Sequence, residues 1–347
     1  MQRQLLPLLI AGGLTAVLAP PATVIARALR AVDEPGGRRV NERPIPRLGG
    51  LALFGGFVGA LFLMTPPSSP RTGLLLAGSA AFIVGLADDL FSLRPAVKLV
   101  GQILSASILP FFGVAVRFVS NPWGGMIALG PLAAPATVLW VVALMNMINL
   151  IDGLDGLAAG VSAIAATSLL FLPQCLEQPF ITSLCLLLIG CTLGFLPFNF
   201  HPARTFMGDS GSHFLGFLLG YITVAGALKG RAALTLSVPF LAFAVPFADT
   251  SLAVLRRWLR HRSIFVADAD HLHHRLLCLG LNHRQTVLVL YLCSAIFGAG
   301  SVFLARAATR LGVMILLGLT ACAACGLGGG IHRCREPKPS PRGFLDA

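Results

Sequence analysis

The polar residues best suited to chemistry are gathered in a few short segments of an otherwise apolar chain. One is Gly85-Leu86-Ala87-Asp88-Asp89-Leu90, followed by Arg94, Pro95 and Lys98. Two adjacent carboxylates about 4 Å apart repel by ~4 kcal/mol at an effective dielectric of 20, so a metal, a cation or a raised pKa must relieve them. Pro95 ends the helix and lets Lys98 open the next one, from where its amine can fold back towards the aspartates. A second segment is Asn146-Met147-Ile148-Asn149-Leu150-Ile151-Asp152-Gly153-Leu154-Asp155-Gly156. Its polar residues recur every third position, which predicts Asn146, Asn149, Asp152 and Asp155 along one helix face. Such an all-oxygen set suits a hard cation such as Mg²⁺ rather than zinc. A glycine-rich turn with capping Asp and Asn is the plainer alternative.

In Phe206-Met207-Gly208-Asp209-Ser210-Gly211-Ser212-His213 an acid stands at the start of an apolar run. Asp209 is expected there as an N-cap, or the segment serves as a helix N-terminus whose amides meet phosphate oxygens, or both. The loop 256–284 carries His271-Leu272-His273-His274-Arg275. Zinc would need a Cys or carboxylate set at matching spacing; Asp268 and Asp270 are near but do not complete one, so anion recognition by imidazole and guanidinium is preferred. Asp249 lies inside an apolar run and must face a polar cavity or pair with a cation such as Arg256 or Arg257.

These segments need elements to position them, and composition limits what those are. Of 347 residues 56% are hydrophobic and 12% charged. The charge is about half that of a soluble domain, which excludes a water-facing surface over most of the chain. The fold expected is all-α and polytopic, with about eleven transmembrane helices: Leu5 to Leu29, Leu48 to Met64, Thr72 to Leu90, Val97 to Val116, Leu132 to Ile151, Leu154 to Leu172, Phe180 to Phe198, Gly211 to Leu228, Leu234 to Leu255, Gln285 to Ala305 and Leu311 to Gly328. The first run is read as an uncleaved helix, being too long for a typical signal peptide and followed by many more. Residues 1–347 form a single membrane-embedded domain, with 256–284 as the main cytoplasmic loop and 332–347 as a basic tail.

The net charge of +12 would suggest nucleic acid in a soluble protein, but here no aromatic-interleaved basic tract supports that, and loops facing anionic lipid account for it. Alternating the loops gathers Arg30, Arg38, Arg39, Arg43, Arg47, Arg94, Lys98, Arg204, the 256–284 cluster and the tail on one side. By the positive-inside rule that side is cytoplasmic and the N-terminus lies outside. Asp88, Asp89, Asp152, Asp155 and Asp209 then sit at cytoplasmic span ends, with Glu177 the one acid assigned to the other side. Most cysteines lie in or beside apolar runs, and Cys322 and Cys325 form a CxxC within one; packing explains them better than zinc or a disulfide framework.

Together with Pro44-Ile45-Pro46-Arg47-Leu48-Gly49-Gly50 and the extension of the histidine motif to Leu276-Leu277, these segments in this order resemble the polyprenyl-phosphate N-acetylhexosamine-1-phosphate transferases, glycosyl transferase family 4. The resemblance implies a ten- or eleven-span fold in the inner (plasma) membrane with a cytoplasmic active site. It implies Mg²⁺-dependent transfer of a sugar 1-phosphate from a UDP-sugar to polyprenyl phosphate with release of UMP. By resemblance Asn149 and Asp209 hold the metal, Mn²⁺ being an alternative ion, with Asp152 behind them or as an alternative ligand. Lys98 and Arg275 hold the pyrophosphate, and Asp88, Asp89 and Asp155 complete the catalytic set. Arg47, His271, His273 and His274 contact substrate. The histidine motif with Gly280-Leu281 and Arg284-Gln285 is similar to the N-acetylhexosamine branch, which starts O-antigen, teichoic acid or related glycans; the branch using UDP-N-acetylmuramoyl-pentapeptide is the alternative. Asn41 and Ala269 depart from the family pattern, where a His and an Arg are common. A secondary transporter and a non-catalytic scaffold are the readings from other classes, and a homodimer is the alternative to a monomer.

Overall fold

The computed structural model describes residues 2–34, 44–120, 126–172, 177–227, 276 and 279–307. In these the chain forms nine α-helices: α1 (Gln2–Ala28), α2 (Gly50–Met64), α3 (Ser69–Phe91), α4 (Pro95–Ser107), α5 (Ala133–Ile151), α6 (Leu157–Leu170), α7 (Pro179–Asn199), α8 (Gly208–Ala227) and α9 (His283–Ala307). Each expected span that falls on described residues coincides in whole or in part with one of these helices. The spans expected at Leu234 to Leu255 and Leu311 to Gly328 lie outside the described residues, as do Asp249, the loop 256–275 and the tail.

Among the described residues, six segments are long and apolar enough to cross a membrane: Leu5–Ala28, Ser69–Phe91, Pro95–Phe112, Gly130–Ile151, Pro179–Asn199 and His283–Phe303. The expected span from Val97 to Val116 is in fact α4 followed by a 3-10 turn at Leu109–Phe112. Helices α2 and α6, with 15 and 14 residues, fall short of the roughly 20 residues that a hydrocarbon core requires. Two short antiparallel ladders modify the all-α expectation: β1 (Val32–Asp33) pairs with β2 (Ile45–Pro46), and β3 (Phe118–Ser120) with β4 (Met126–Ala128).

The packing places α8 at the centre. Every residue from 210 to 226 is buried, whereas the outer helices expose Val17, Ile83, Leu104, Leu139, Leu193 and Leu292. An apolar surface of that kind is stable only in lipid. Helices α3 and α5 pack along α8, α4 packs on α3 and α5, α6 and α1 pack on α7, and α9 packs on α6. Phe54 and Phe82 stack at 4.2 Å, and Phe214 meets Phe54 and Phe57 edge-on at 5.2 and 5.5 Å, tying α2 and α3 to α8. At the other end of α8, Tyr221 Oη donates to Pro70 O at 2.9 Å and Trp140 Nε1 to Thr223 Oγ1 at 2.7 Å. The result is that the C-terminal ends of α3 and α5 and the N-terminal ends of α4 and α8 meet at one end of the bundle.

Candidate active site

The N-terminus of α8 is built against α3. Gly208 has φ +68°, and a Cβ there would collide with Arg47 O and with both carboxylate oxygens of Asp89, so only glycine fits. Gly85 does the same on α3, where a Cβ would strike the Asp209 carbonyl. Through this close approach Asp89, 3% exposed, accepts from Asp209 N–H at 2.8 Å, Ser210 N–H at 3.0 Å and Ser210 Oγ at 2.6 Å. The cap of α8 is therefore Asp89 of another helix rather than Asp209 itself, because Asp209 already lies inside the first turn. Arg47 Nη2 donates to Asp89 O at 2.5 Å, satisfying the end of α3. The strand segment holding Arg47 is pinned in turn, with Gly49 and Gly50 N–H donating to Phe206 O and Met207 O.

With its own amide engaged by Asp89, Asp209 turns its carboxylate the other way. Lys98 Nζ lies 3.0 Å from Asp88 Oδ2 and also contacts Asp209 Oδ2. Asp88 Oδ1 accepts from Leu93 N–H at 2.7 Å. The adjacent acids thus diverge, Asp88 towards Lys98 and Asp89 into the α8 N-terminus, which is how the expected repulsion is relieved. Asn149 Nδ2 donates to Asp209 Oδ1 and to Ser212 Oγ, both at 2.9 Å.

Asp152 completes the cluster from a different backbone. Helix α5 stops at Ile151, and Asp152 caps it with non-helical angles (φ −76°, ψ 46°). The expected row of four polar residues along one helix face is therefore not formed: the two glycines break the helix, and residues 152–156 are a turn. Asn146 faces inwards, Asn149 faces Asp209, and Asp155 faces away. The Asp152 carboxyl sits well above the usual carboxylate range, mainly through burial and then through the negative charges of Asp209, Asp89 and Asp155. Among the described residues nothing hydrogen-bonds to it. Asp88, Asp152 and Asp209 thus outnumber Lys98, and the donors on offer are carboxylate and amide oxygens. That donor set and that surplus of negative charge fit a hard divalent cation such as Mg²⁺.

Asp155 belongs to a separate cluster at the same end. His201 Nδ1–H donates to Asp155 Oδ2 at 2.8 Å, Ala203 N–H donates to the same oxygen at 3.1 Å, and Asp155 N–H donates to His283 Nε2 at 3.0 Å. The three side chains offer ligand atoms within 4.8 Å of one another. However, the two imidazoles stack at 4.3 Å with 16° between planes. Lone pairs in near-parallel planes do not converge on one ion at about 2.0 to 2.1 Å. The cluster is a joint between the start of α9, the turn after α5 and the segment leading into α8. It borders a cavity of about 930 Å³ also lined by Arg27, Pro46, Phe198 and Arg204.

Of the residues expected at the site, the structure brings together Asp88, Lys98, Asn149, Asp152 and Asp209. It puts Asp89 and Arg47 to work holding backbone, and Asp155 in the imidazole joint. His271, His273, His274 and Arg275 lie outside the described residues. Sequence reasoning missed Gln102, His201 and His283, and took Ser212 for no more than a candidate helix cap. Ser212 and Gln102 stand at i+3 and i+4 from Asp209 and Lys98, a spacing that could have flagged them; the lone histidines at helix ends had no such signal.

A family model described as glycosyl transferase family 4 matches residues 71–227, which span α3 to α8. A Bacillus subtilis (strain 168) protein described as a probable undecaprenyl-phosphate N-acetylglucosaminyl 1-phosphate transferase is 37% identical over 302 residues, covering 86% of this chain and 84% of its own. A decaprenyl-phosphate N-acetylglucosaminephosphotransferase of Mycobacterium tuberculosis (strain ATCC 25618 / H37Rv) is 38% identical, covering 86% and 83%. A phospho-N-acetylmuramoyl-pentapeptide-transferase of Moorella thermoacetica (strain ATCC 39073 / JCM 9320) is 29% identical, covering 88% and 99%.

Proposed function

The chain belongs to glycosyl transferase family 4, and on that premise we propose that it transfers N-acetylglucosamine 1-phosphate from UDP-N-acetylglucosamine to a polyprenyl phosphate at the cytoplasmic face of the membrane, releasing UMP. The observation that carries this reading is the meeting of Asp88, Lys98, Asn149, Asp152 and Asp209 from four helix ends at one point of the bundle. The higher identity to the two N-acetylglucosamine transferases than to the pentapeptide transferase supports the choice of sugar.

The reaction is an in-line attack of a lipid phosphate oxygen on the β-phosphorus, with the α-phosphate of UMP leaving. Asn149, Asp209 and Asp152 would hold Mg²⁺, whose role when bound is to neutralise pyrophosphate oxygens. Among the described residues Lys98 is the cation at the site for the phosphates, and its ammonium is aimed by Asp88 and Asp209. A phosphate monoester with a second pKa near 6 is largely ionised at neutral pH, so the acceptor needs no strong base. Asp88, committed to Leu93 N–H and Lys98, accordingly serves as an orienting carboxylate. Asp89 and Arg47 keep the N-terminus of α8 in place, so that the oxygens of Asp209 stay fixed relative to Lys98.

The test is UMP release by the purified protein in detergent, with a panel of UDP-sugars, polyprenyl phosphate, and Mg²⁺ present or removed by chelation. UMP should appear with UDP-N-acetylglucosamine only when lipid phosphate and Mg²⁺ are both supplied. No release with any UDP-N-acetylhexosamine would overturn the assignment.

A further inference from the structure

Directly beneath the Lys98, Asn149 and Asp209 cluster lies a second polar layer that the proposed reaction does not use. Gln102 stands one turn after Lys98 on α4, Asn146 three residues before Asn149 on α5, and His213 one turn after Asp209 on α8. Gln102 and His213 are fully buried. Asn146 Nδ2 donates to Gln102 Oε1 at 2.7 Å and to Val142 O at 2.8 Å, and Gln102 Nε2 reaches Asn146 Oδ1 at 3.3 Å. Gln102 Nε2 also lies 3.0 Å from His213 Nε2. An amide nitrogen only donates, so His213 Nε2 is the acceptor and the ring proton sits on Nδ1, which is buried with no partner among the described residues. A histidine left with one nitrogen unsatisfied inside a membrane bundle contributes through the other one, the bond to Gln102.

The layer matters because of how α4 is held. It packs on α3 and α5, and Val97, Val100 and Leu104 face outwards. Towards α8, the described hydrogen bonds and ion pairs of α4 are those of Lys98 with Asp209 and of Gln102 with His213. A Lys side chain is long and flexible and does not set a helix register. A buried amide bonded on both sides does, because sliding or rotating α4 by one residue would leave its donors and acceptor unpaired.

We propose that Gln102, bonded to Asn146 and His213, is the positioning residue that registers α4 against α5 and α8 and thereby delivers the Lys98 ammonium to Asp209. This rests on the reaction proposed above. In the test, Gln102→Leu keeps the approximate volume and removes the bonds. Its kcat for UMP release should fall by roughly ten- to a hundredfold, as for a small misplacement of a catalytic group, with KM for the UDP-sugar changed by less than about threefold. His213→Leu should fall likewise, the double variant should be no worse than either alone, and His213→Gln, which keeps an acceptor, should recover most of the rate. A folded Gln102→Leu protein with kcat within about twofold of the parent overturns the proposal; if that variant does not accumulate, His213→Leu is judged by the same limit. Activity is not the sole readout. In a cysteine-free chain carrying Lys98→Cys and Asp209→Cys, a short bifunctional thiol reagent should cross-link efficiently, and several-fold less when Gln102→Leu is added. Unchanged cross-linking overturns the register role, whereas a parent protein that releases no UMP overturns only the reaction.

Discussion

Two carboxylate clusters share one end of the bundle, and they differ in how far their charges are satisfied. Around Asp155 the carboxylate is satisfied: His201 and Ala203 donate to it and His283 Nε2 accepts from the backbone, leaving among these groups only His283 Nδ1 buried without a partner among the described residues, while the two imidazoles stack rather than converge. Around Asp209, two acids share one lysine, and the carboxylate of Asp152, which feels the charge of Asp209, has no hydrogen-bond partner among the described residues. The same residue types therefore form a joint in one place and, in the other, an unneutralised cluster at the site proposed to bind cation and phosphate. What separates them is unspent charge, since buried polar groups that serve only structure are normally fully paired.

Substitutions at the two clusters can break or sharpen that contrast. The largest effect is expected for Asp209→Asn, which leaves the α8 N-terminus intact while removing the charge opposite Lys98. UMP release should fall by about 10³-fold or more, ~4 kcal/mol in the barrier, with the thermal midpoint little changed. Asp89→Asn should behave in the opposite way. An amide cannot accept from Asp209 N–H, Ser210 N–H and Ser210 Oγ together, so stability should drop by about 3 kcal/mol, seen as a lower melting temperature in detergent.

Asp152→Asn tests the surplus charge itself. A carboxyl whose folded pKa is raised contributes stability that is fully present below its unfolded pKa and is lost as pH rises through the folded value. Without divalent cation, the parent should therefore become less stable from mildly acidic towards neutral pH. The Asn variant should escape that loss, melting a few degrees higher at neutral pH, and should gain less from added Mg²⁺. Equal melting curves at both pH values would remove the argument for a cation there. The smallest effect is expected from His201→Ala, a loss of about 1 kcal/mol from one partly exposed bond, with the Mg²⁺ dependence of turnover unaltered. A changed metal requirement in that variant would erase the distinction between the clusters.

Much of this was legible in the residues. Apolar runs bounded by Pro, Gly and charge marked the helices, because the hydrocarbon core imposes length and composition directly on sequence. The motif residues Asp88, Lys98, Asn149 and Asp209 stood out because acids, amides and amines at span ends are scarce in such a chain. Less legible was the break after Ile151. A period of three fits a helix face as well as a turn, and Gly153 and Gly156 decided for the turn once Asp155 found its partners on α9 and in the α7 to α8 segment. Gln102 was harder to read for another reason: its i+4 spacing places it below Lys98, but the role of a single amide among apolar residues depends on what it meets.

The sequence by itself determined the class of molecule, the helical segments, the family and the residues available for phosphate chemistry, since these depend on composition and short-range spacing. Only the tertiary structure decided which of two neighbouring acids works on which task. Asp88 and Asp89 are adjacent and chemically identical, but on a helix they point about 100° apart. One meets Lys98 and the other the backbone amides of α8, and that assignment exists only once α3, α4 and α8 are packed together.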